Sequence, residues 1–231
     1  MTDLLAHVES IWQAVVTELP TFTVEVLPSI DSTSSELMRR ARDGLTEPVL
    51  LAAEEQTAGR GRMGKGWHSR AGQSLTFSLA LPLAPADWSG LSLAVGVSLA
   101  RSLHPDVRLK WPNDLWLQER KLGGILVETA SSGEGASAPR TVVIGVGINI
   151  ARPDAATVLS TAVPGAPVPM PPAGLSEVRV GVTAGEALAL VAPSLVHDVL
   201  RFGHEGFAAF ADGFDQRDAL RGLSLIHISE P

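Results

Sequence analysis

An α+β fold, with a mixed β-sheet backed by helices, is the architecture this sequence predicts, and three observations predict it. The chain has 231 residues and 45% hydrophobic content, enough for one sizeable packed core. Short apolar runs rich in β-formers are interspersed with segments whose apolar residues recur every four positions. Polar, glycine-bearing motifs sit at the ends of the apolar runs, where strands of a sheet deliver functional groups.

In chain order, Leu4 to Leu19 reads as an amphipathic helix ended by Pro20. Thr21 to Leu27 alternates and is the first strand. The capping candidates Asp31-Ser32-Thr33-Ser34-Ser35 precede a helix from Glu36 to Arg42, closed by Gly44. Pro48 to Glu54 is a buried strand leading into a glycine-arginine loop, and Ser74 to Leu81 is a second, with Leu75, Phe77 and Leu79 on one face. Trp88 to Leu103 is a buried helix, since Leu91, Val95, Leu99 and Leu103 recur every four residues. Val107 to Trp111 is a strand end. Asp114 to Leu117 and Gly123 to Thr129 then pair around Gln118-Glu119-Arg120. Ala130 to Arg140 is a low-complexity connection, and Thr141 to Ile150 an apolar strand. A Pro- and Ala-rich excursion follows, then a long helix from Thr183 to Arg201 and a short one from Gly206 to Phe214.

A formal charge of -7 gives no support for a broad nucleic-acid surface. Within it lies a local basic run, Arg60, Arg62, Lys65 and Arg70, with no acid between Glu55 and Asp87. Absence of cysteine removes disulfide scaffolds and thiolate metal sites. No basic leader precedes an apolar run at the N-terminus, and no apolar stretch reaches membrane-span length. The expected setting is cytoplasmic, without membrane or DNA partners. The final residues, 222–231, read as a non-native tail, with Ser224 to Pro231 resembling translated vector sequence.

The chain has three lysines, and each stands in a compact motif. Lys65 follows Gly59-Arg60-Gly61-Arg62-Met63-Gly64, where glycines let main-chain N–H groups approach a ligand and arginines grip carboxylate or phosphate bidentately. The loop lacks the Gly-Lys-Ser/Thr ending of a phosphate-binding loop, and an exposed basic turn is the competing reading. Lys110-Trp111-Pro112-Asn113-Asp114 sets polar oxygens beside a cation, suited to a hydrated Mg²⁺ carried by phosphates; an ordinary proline turn competes. Lys121-Leu122-Gly123-Gly124 places an ammonium before an apolar strand, for a polyanionic reaction centre or as a hairpin-edge lysine. Asn149 ends the strand containing Gly145-Val146-Gly147-Ile148, as a phosphate contact or a turn cap. The six histidines form no zinc signature, and no Gly-x-Ser-x-Gly elbow is present.

Taken together and in this order, Glu55 to Arg62, Lys110 to Asp114 and Lys121 to Glu128 resemble the catalytic domain of bacterial monofunctional biotin protein ligases, from about Val24 to Asp218. The resemblance implies a core similar to class II aminoacyl-tRNA synthetases, with ATP and biotin as substrates and Mg²⁺ as cofactor. It implies activation of biotin as biotinyl-5′-AMP and transfer to a lysine of a biotin carboxyl carrier protein. By resemblance, Ser32, Thr33 and Gln56 contact the ureido end of biotin, and Gly145 lines its pocket. Gly59, Arg60 and Arg62 close over biotin and the adenylate. Lys121 contacts the carboxylate and transferring phosphate. Lys110, Asn113 and Asn149 serve the nucleotide, Trp67 packs near adenine, and Asn113, Asp114 and Asn149 serve Mg²⁺. Lys121, Arg60, Arg62 and Lys110 are the catalytic set.

This chain departs from the pattern at three places. Ser34-Ser35 stands where many relatives carry an amide, and Met63 and Gly66 stand at positions often cationic. A ligase domain over residues 1–221 is expected without the usual small C-terminal β domain and without an N-terminal helix-turn-helix, so repressor activity is not expected. Related ligases dimerise through sheet edges, which leaves a homodimer open here. Two other functions compete. A lipoate protein ligase shares the architecture and adenylation chemistry. A non-catalytic biotin-binding or carrier-docking module would bind biotin without releasing pyrophosphate.

Overall fold

Alternation within the strands decides which side chains meet which layer. The computed structural model describes residues 3–131, 140–153 and 171–222. Its seven-stranded sheet has the order β1-β2-β5-β9-β8-β7-β6. Here β1 is Thr23–Ile30, β2 Val49–Gln56, β5 Ser74–Leu83, β6 Arg108–Lys110, β7 Asp114–Leu117, β8 Arg120–Ser131 and β9 Arg140–Asn149. A separate two-stranded hairpin joins β3 (Gly59–Arg60) to β4 (Gly66–Trp67). Helix α3, Thr33–Arg42, connects β1 to β2, which therefore run parallel. Every other pairing in the sheet is antiparallel, so the sheet is mixed.

On one face, Leu75, Phe77, Leu79 and Leu81 of β5 and Val142, Ile144, Val146 and Ile148 of β9 pack under four helices. These are the short pair α1 (Asp3–Ala6) and α2 (Val8–Val15), then α4 (Leu91–Leu103) and α5 (Ala184–Glu205). The expected first helix is thus broken at His7. Helix α5 starts at a reciprocal cap, in which Thr183 Oγ1 accepts from the Glu186 N–H and the Glu186 carboxylate accepts from the Thr183 N–H. Helix α4 begins at Leu91 rather than Trp88 because Gly90 adopts φ 85°, with the Phe207 ring packed where a side chain would stand. The last short helix, α6, is Ala211–Arg217, entered through a 3₁₀ turn at Phe207–Phe210.

The opposite face is covered only in part. Leu37, Met38 and Ala41 of α3 pack on Leu51, Ala80, Ala130 and Val143. Arg39 of this helix forks between Asp31 (2.8 Å) and Glu36 (2.7 Å), and Arg40 bridges Glu36 and Glu25, each at 2.8 Å. The Arg39 hydrogen bond holds the Asp31 carboxyl below its ordinary value, and those from Arg40 and then Arg39 do the same for Glu36. A carboxylate depressed by folding stabilises the fold in full above its unfolded value and loses that contribution as pH falls through its folded one. The midpoint of thermal unfolding is therefore expected to fall as pH drops from about 5 to about 3, and Arg39→Ala to flatten part of that slope. A slope unchanged by Arg39→Ala would contradict the assignment.

The excursion after Ile150 falls mostly outside the described residues, as do the low-complexity connection and the terminal segment read as non-native.

Candidate active site

Beside α3 the second face of the sheet is a floor of small residues, which alternate with large ones turned to the main core. On β5 these are Ser74, Thr76 and Ser78; on β9, Gly145, Gly147 and Asn149; on β8, Gly124. Register sets Ser78 opposite Gly145 and Gly147 opposite Gly124, so neighbouring strands build one floor. From β5 across β9 to β8 is two strand spacings, roughly 10 Å.

One end of the floor is neutral and polar. Ser32 caps α3, its side chain accepting from the Ser35 N–H at 3.3 Å. Thr33, next in line, donates its backbone N–H (2.7 Å) and its hydroxyl (3.1 Å) to Gln56 Oε1 at the end of β2. Thr33 and Ser34 hydroxyls both reach Ser78 Oγ, at 2.8 and 2.9 Å. Ser34 Oγ lies against Gly145, and a β-carbon on that glycine would collide with it.

The middle of the floor carries the β3–β4 hairpin. Trp67 lays its indole on Gly147, which must be glycine for that approach. Its Nε1–H is buried and finds no acceptor among the described residues. Gly59 faces the Trp67 carbonyl just as closely. Arg60 pairs with Glu128 at 2.9 Å and donates to Ser35 Oγ at 3.3 Å, while Arg62 donates to Asn113 Oδ1 at 3.2 Å. The loop thereby spans from α3 to the Pro112 turn and, with Gly90, Trp111, Leu126 and Glu128, lines a cleft of about 480 Å³ beside the floor.

The other end is cationic. Strands β6 to β8 turn Leu109, Leu115, Leu117 and Leu122 to the core and set Lys110, Asp114 and Lys121 on the other side. Lys121 Nζ is 2.8 Å from Asp114 Oδ1, and the Lys110 ammonium lies 4.2 Å from the Trp116 ring centroid. Asn149 is buried and donates to the Ala173 carbonyl at 3.1 Å, while the Ala173 N–H donates to the Lys121 carbonyl at 2.9 Å. Asn113 donates to the Ile125 carbonyl at 2.8 Å. Among the described residues no three His, Cys, Asp or Glu side chains gather as a metal cage.

The structure thus brings Thr33, Gln56 and Gly145 together at one end, and Lys110, Asp114, Lys121 and Asn149 at the other. Arg60, Arg62, Gly59 and Trp67 lie on the hairpin between. Asn113 and Asp114 are adjacent, but each is engaged by a different partner, Arg62 and Lys121 respectively. Two participants had no role assigned from sequence. Ser78 had a visible signal, a hydroxyl between Phe77 and Leu79, third in the alternating series Ser74, Thr76, Ser78. Glu128, which holds Arg60, gave none beyond its motif.

The family model described as the biotin/lipoate A/B protein ligase family matches residues 26–149. The bifunctional ligase/repressor BirA of Escherichia coli (strain K12) is 48% identical over 136 residues, which cover 56% of this chain and 41% of that protein. The biotin–[acetyl-CoA-carboxylase] ligase of Paracoccus denitrificans is 35% identical over 209 residues, 87% of this chain and 83% of that one. Among solved structures, the biotin protein ligase of Aquifex aeolicus in complex with biotin and ATP aligns with a TM-score of 0.63 and 26% identity, over 85% of this chain and 78% of that chain. The Leishmania major biotin protein ligase in complex with biotinyl-5-AMP, 22% identical, shares the fold with a TM-score of 0.66 over 90% of this chain and 85% of its own. By sequence and by fold, the chain belongs to the biotin/lipoate A/B protein ligase family.

Proposed function

We propose that this chain activates biotin with ATP and transfers it to a lysine of a biotin carboxyl carrier protein. The observation that carries the reading is the chemical difference between the ends of the glycine floor. A hydroxyl and carboxamide cluster stands at one end, lysines at the other, with the Trp67 indole and glycines between. Such a slot suits an elongated molecule with a neutral hydrogen-bonding head, an apolar middle and a carboxylate tail. Biotin has that form. The dithiolane head of lipoate offers neither an N–H nor a carbonyl to the Thr33–Gln56–Ser78 cluster. Relatives named as biotin ligases, and a similar structure holding biotin and ATP, support the same choice.

In the first step a biotin carboxylate oxygen bonds to the α-phosphorus of ATP, the bond to the β-phosphate oxygen breaks, and pyrophosphate leaves. Two anions must meet, so the barrier is set largely by charge. Lys121, exchanging Asp114 for substrate oxygens, offsets charge at the transferring phosphate. Arg60 and Arg62 are held by Glu128 and Asn113 and can turn to the same centre. Ordering of the hairpin over the adenylate excludes water from the mixed anhydride. In the second step a carrier lysine amine attacks the acyl carbon, the acyl–oxygen bond breaks, AMP leaves and the nitrogen loses a proton. Magnesium would fit here as a hydrated ion: Asp114 and Asn149 could offer oxygens to hold it, and when bound it would offset charge on the phosphates.

Calorimetric titration with biotin and with lipoate tests the head-group assignment. Binding of biotin at least about 100-fold tighter is expected, because an unmatched polar cluster rejects an apolar head. Equal or tighter lipoate binding would overturn it.

A further inference from the structure

The hydrogen bonds at the polar end can run in only one direction. Thr33 donates its backbone N–H to Gln56 at 2.7 Å, so the contacted atom is the carboxamide oxygen and Gln56 cannot be flipped. The Thr33 hydroxyl, 3.1 Å from the same oxygen, must then also donate to it. Its single proton is thereby used, so the 2.8 Å contact with Ser78 requires Ser78 to donate. Ser78 has no second proton, so Ser34 donates to Ser78 across 2.9 Å. The relay runs Ser34 to Ser78 to Thr33 to Gln56. Ser78 is fully buried in its middle and faces Gly145.

We infer that Ser78 is a positioning residue that fixes the accepting side of the pocket, at Ser34, for a ligand bearing adjacent N–H and C=O groups. With its proton turned to Ser78, Ser34 offers only lone pairs over Gly145. With its oxygen turned to Thr33, Gln56 leaves its amide protons beside Gly59. The pocket therefore accepts from one side and donates from the other, matching a cyclic urea. Without Ser78 the Ser34 hydroxyl loses the acceptor that holds its proton away from the pocket and must be reoriented each time a ligand binds, while Gln56 stays fixed by the Thr33 N–H. The inference rests on the biotin reading above.

The test is a double-mutant cycle read by biotin titration on the whole chain. Ser78→Ala and Ser34→Ala are each expected to weaken biotin by about tenfold, and the double variant by little more than either, because they act through one relay. The KM for ATP is expected to stay constant, which a general loss of structure would not allow. Should Ser78→Ala not fold, Ser78→Cys, with a weaker donor of similar size, is expected to lose several-fold. Unchanged biotin affinity in the folded Ser78 variant, or strictly multiplicative losses in the cycle, overturns the inference alone. Absence of biotin binding by the unsubstituted chain overturns the biotin reading and the inference with it.

Discussion

Lys121→Ala is expected to lower biotin-dependent ATP–pyrophosphate exchange by about 10²–10³-fold, the usual loss when one preorganised charge-stabilising group is removed. The structure suggests that the loss has two parts. Alanine deletes the ammonium, and it also leaves Asp114, now 2.8 Å from that ammonium, as an uncompensated carboxylate facing incoming phosphates. Adding Asp114→Asn to Lys121→Ala should therefore recover part of the rate at saturating magnesium, where the amide oxygen can still hold the hydrated ion, although no cation is restored. Exchange kinetics of the two variants check this. Full activity in Lys121→Ala would remove Lys121 from the chemistry. Absence of any recovery would mean the ammonium acts on substrate alone.

Gly147→Val should reduce biotin binding by about 100-fold or more while costing only about 1–3 kcal/mol in stability. A β-carbon at this position would overlap the Trp67 indole, with Cζ2 at 2.7 Å and Cδ2 at 2.8 Å. The hairpin carries Trp67, so relief comes from lifting the hairpin off the floor rather than from opening the main core. Leu75, Phe77 and their neighbours pack on the far face and need not move. Calorimetry with biotin, beside chemical denaturation, separates the two effects. Retained affinity would show that the indole does not form the floor of the ligand slot.

The sheet was legible wherever a strand carried its own period. Ser74–Leu83 alternates large and small residues, and Arg140–Asn149 is a long apolar run, so both were placed within two residues. The start of β8 was missed by three residues because its turn is built from Gln118 and Glu119. Both have left-handed φ values, 49° and 62°, normally signalled by glycine or asparagine. The two-residue strands β3 and β4 could not be read at all. Their anchors are distant in sequence: Trp67 settles on Gly147, eighty residues away, and Arg60 on Glu128.

At the site, the cations and glycines stood out because their chemistry is local: a scarce lysine beside glycine or proline is visible without a fold. What could not be read was the partner that holds each one. Asp114 on Lys121, Glu128 on Arg60 and Asn113 on Arg62 are pairs made by strand register and by the reach of the hairpin. Ser78 illustrates the same limit. Its position between two core residues marks it as inward-facing, but only the approach of α3 turns it into the centre of a relay.

Incorporation of labelled pyrophosphate into ATP by the unsubstituted chain, with magnesium and with or without biotin, tests the central claim most directly. The account predicts exchange that requires biotin and is not supported by lipoate. No exchange from folded protein saturated with biotin and ATP, or exchange driven equally by lipoate, would contradict it.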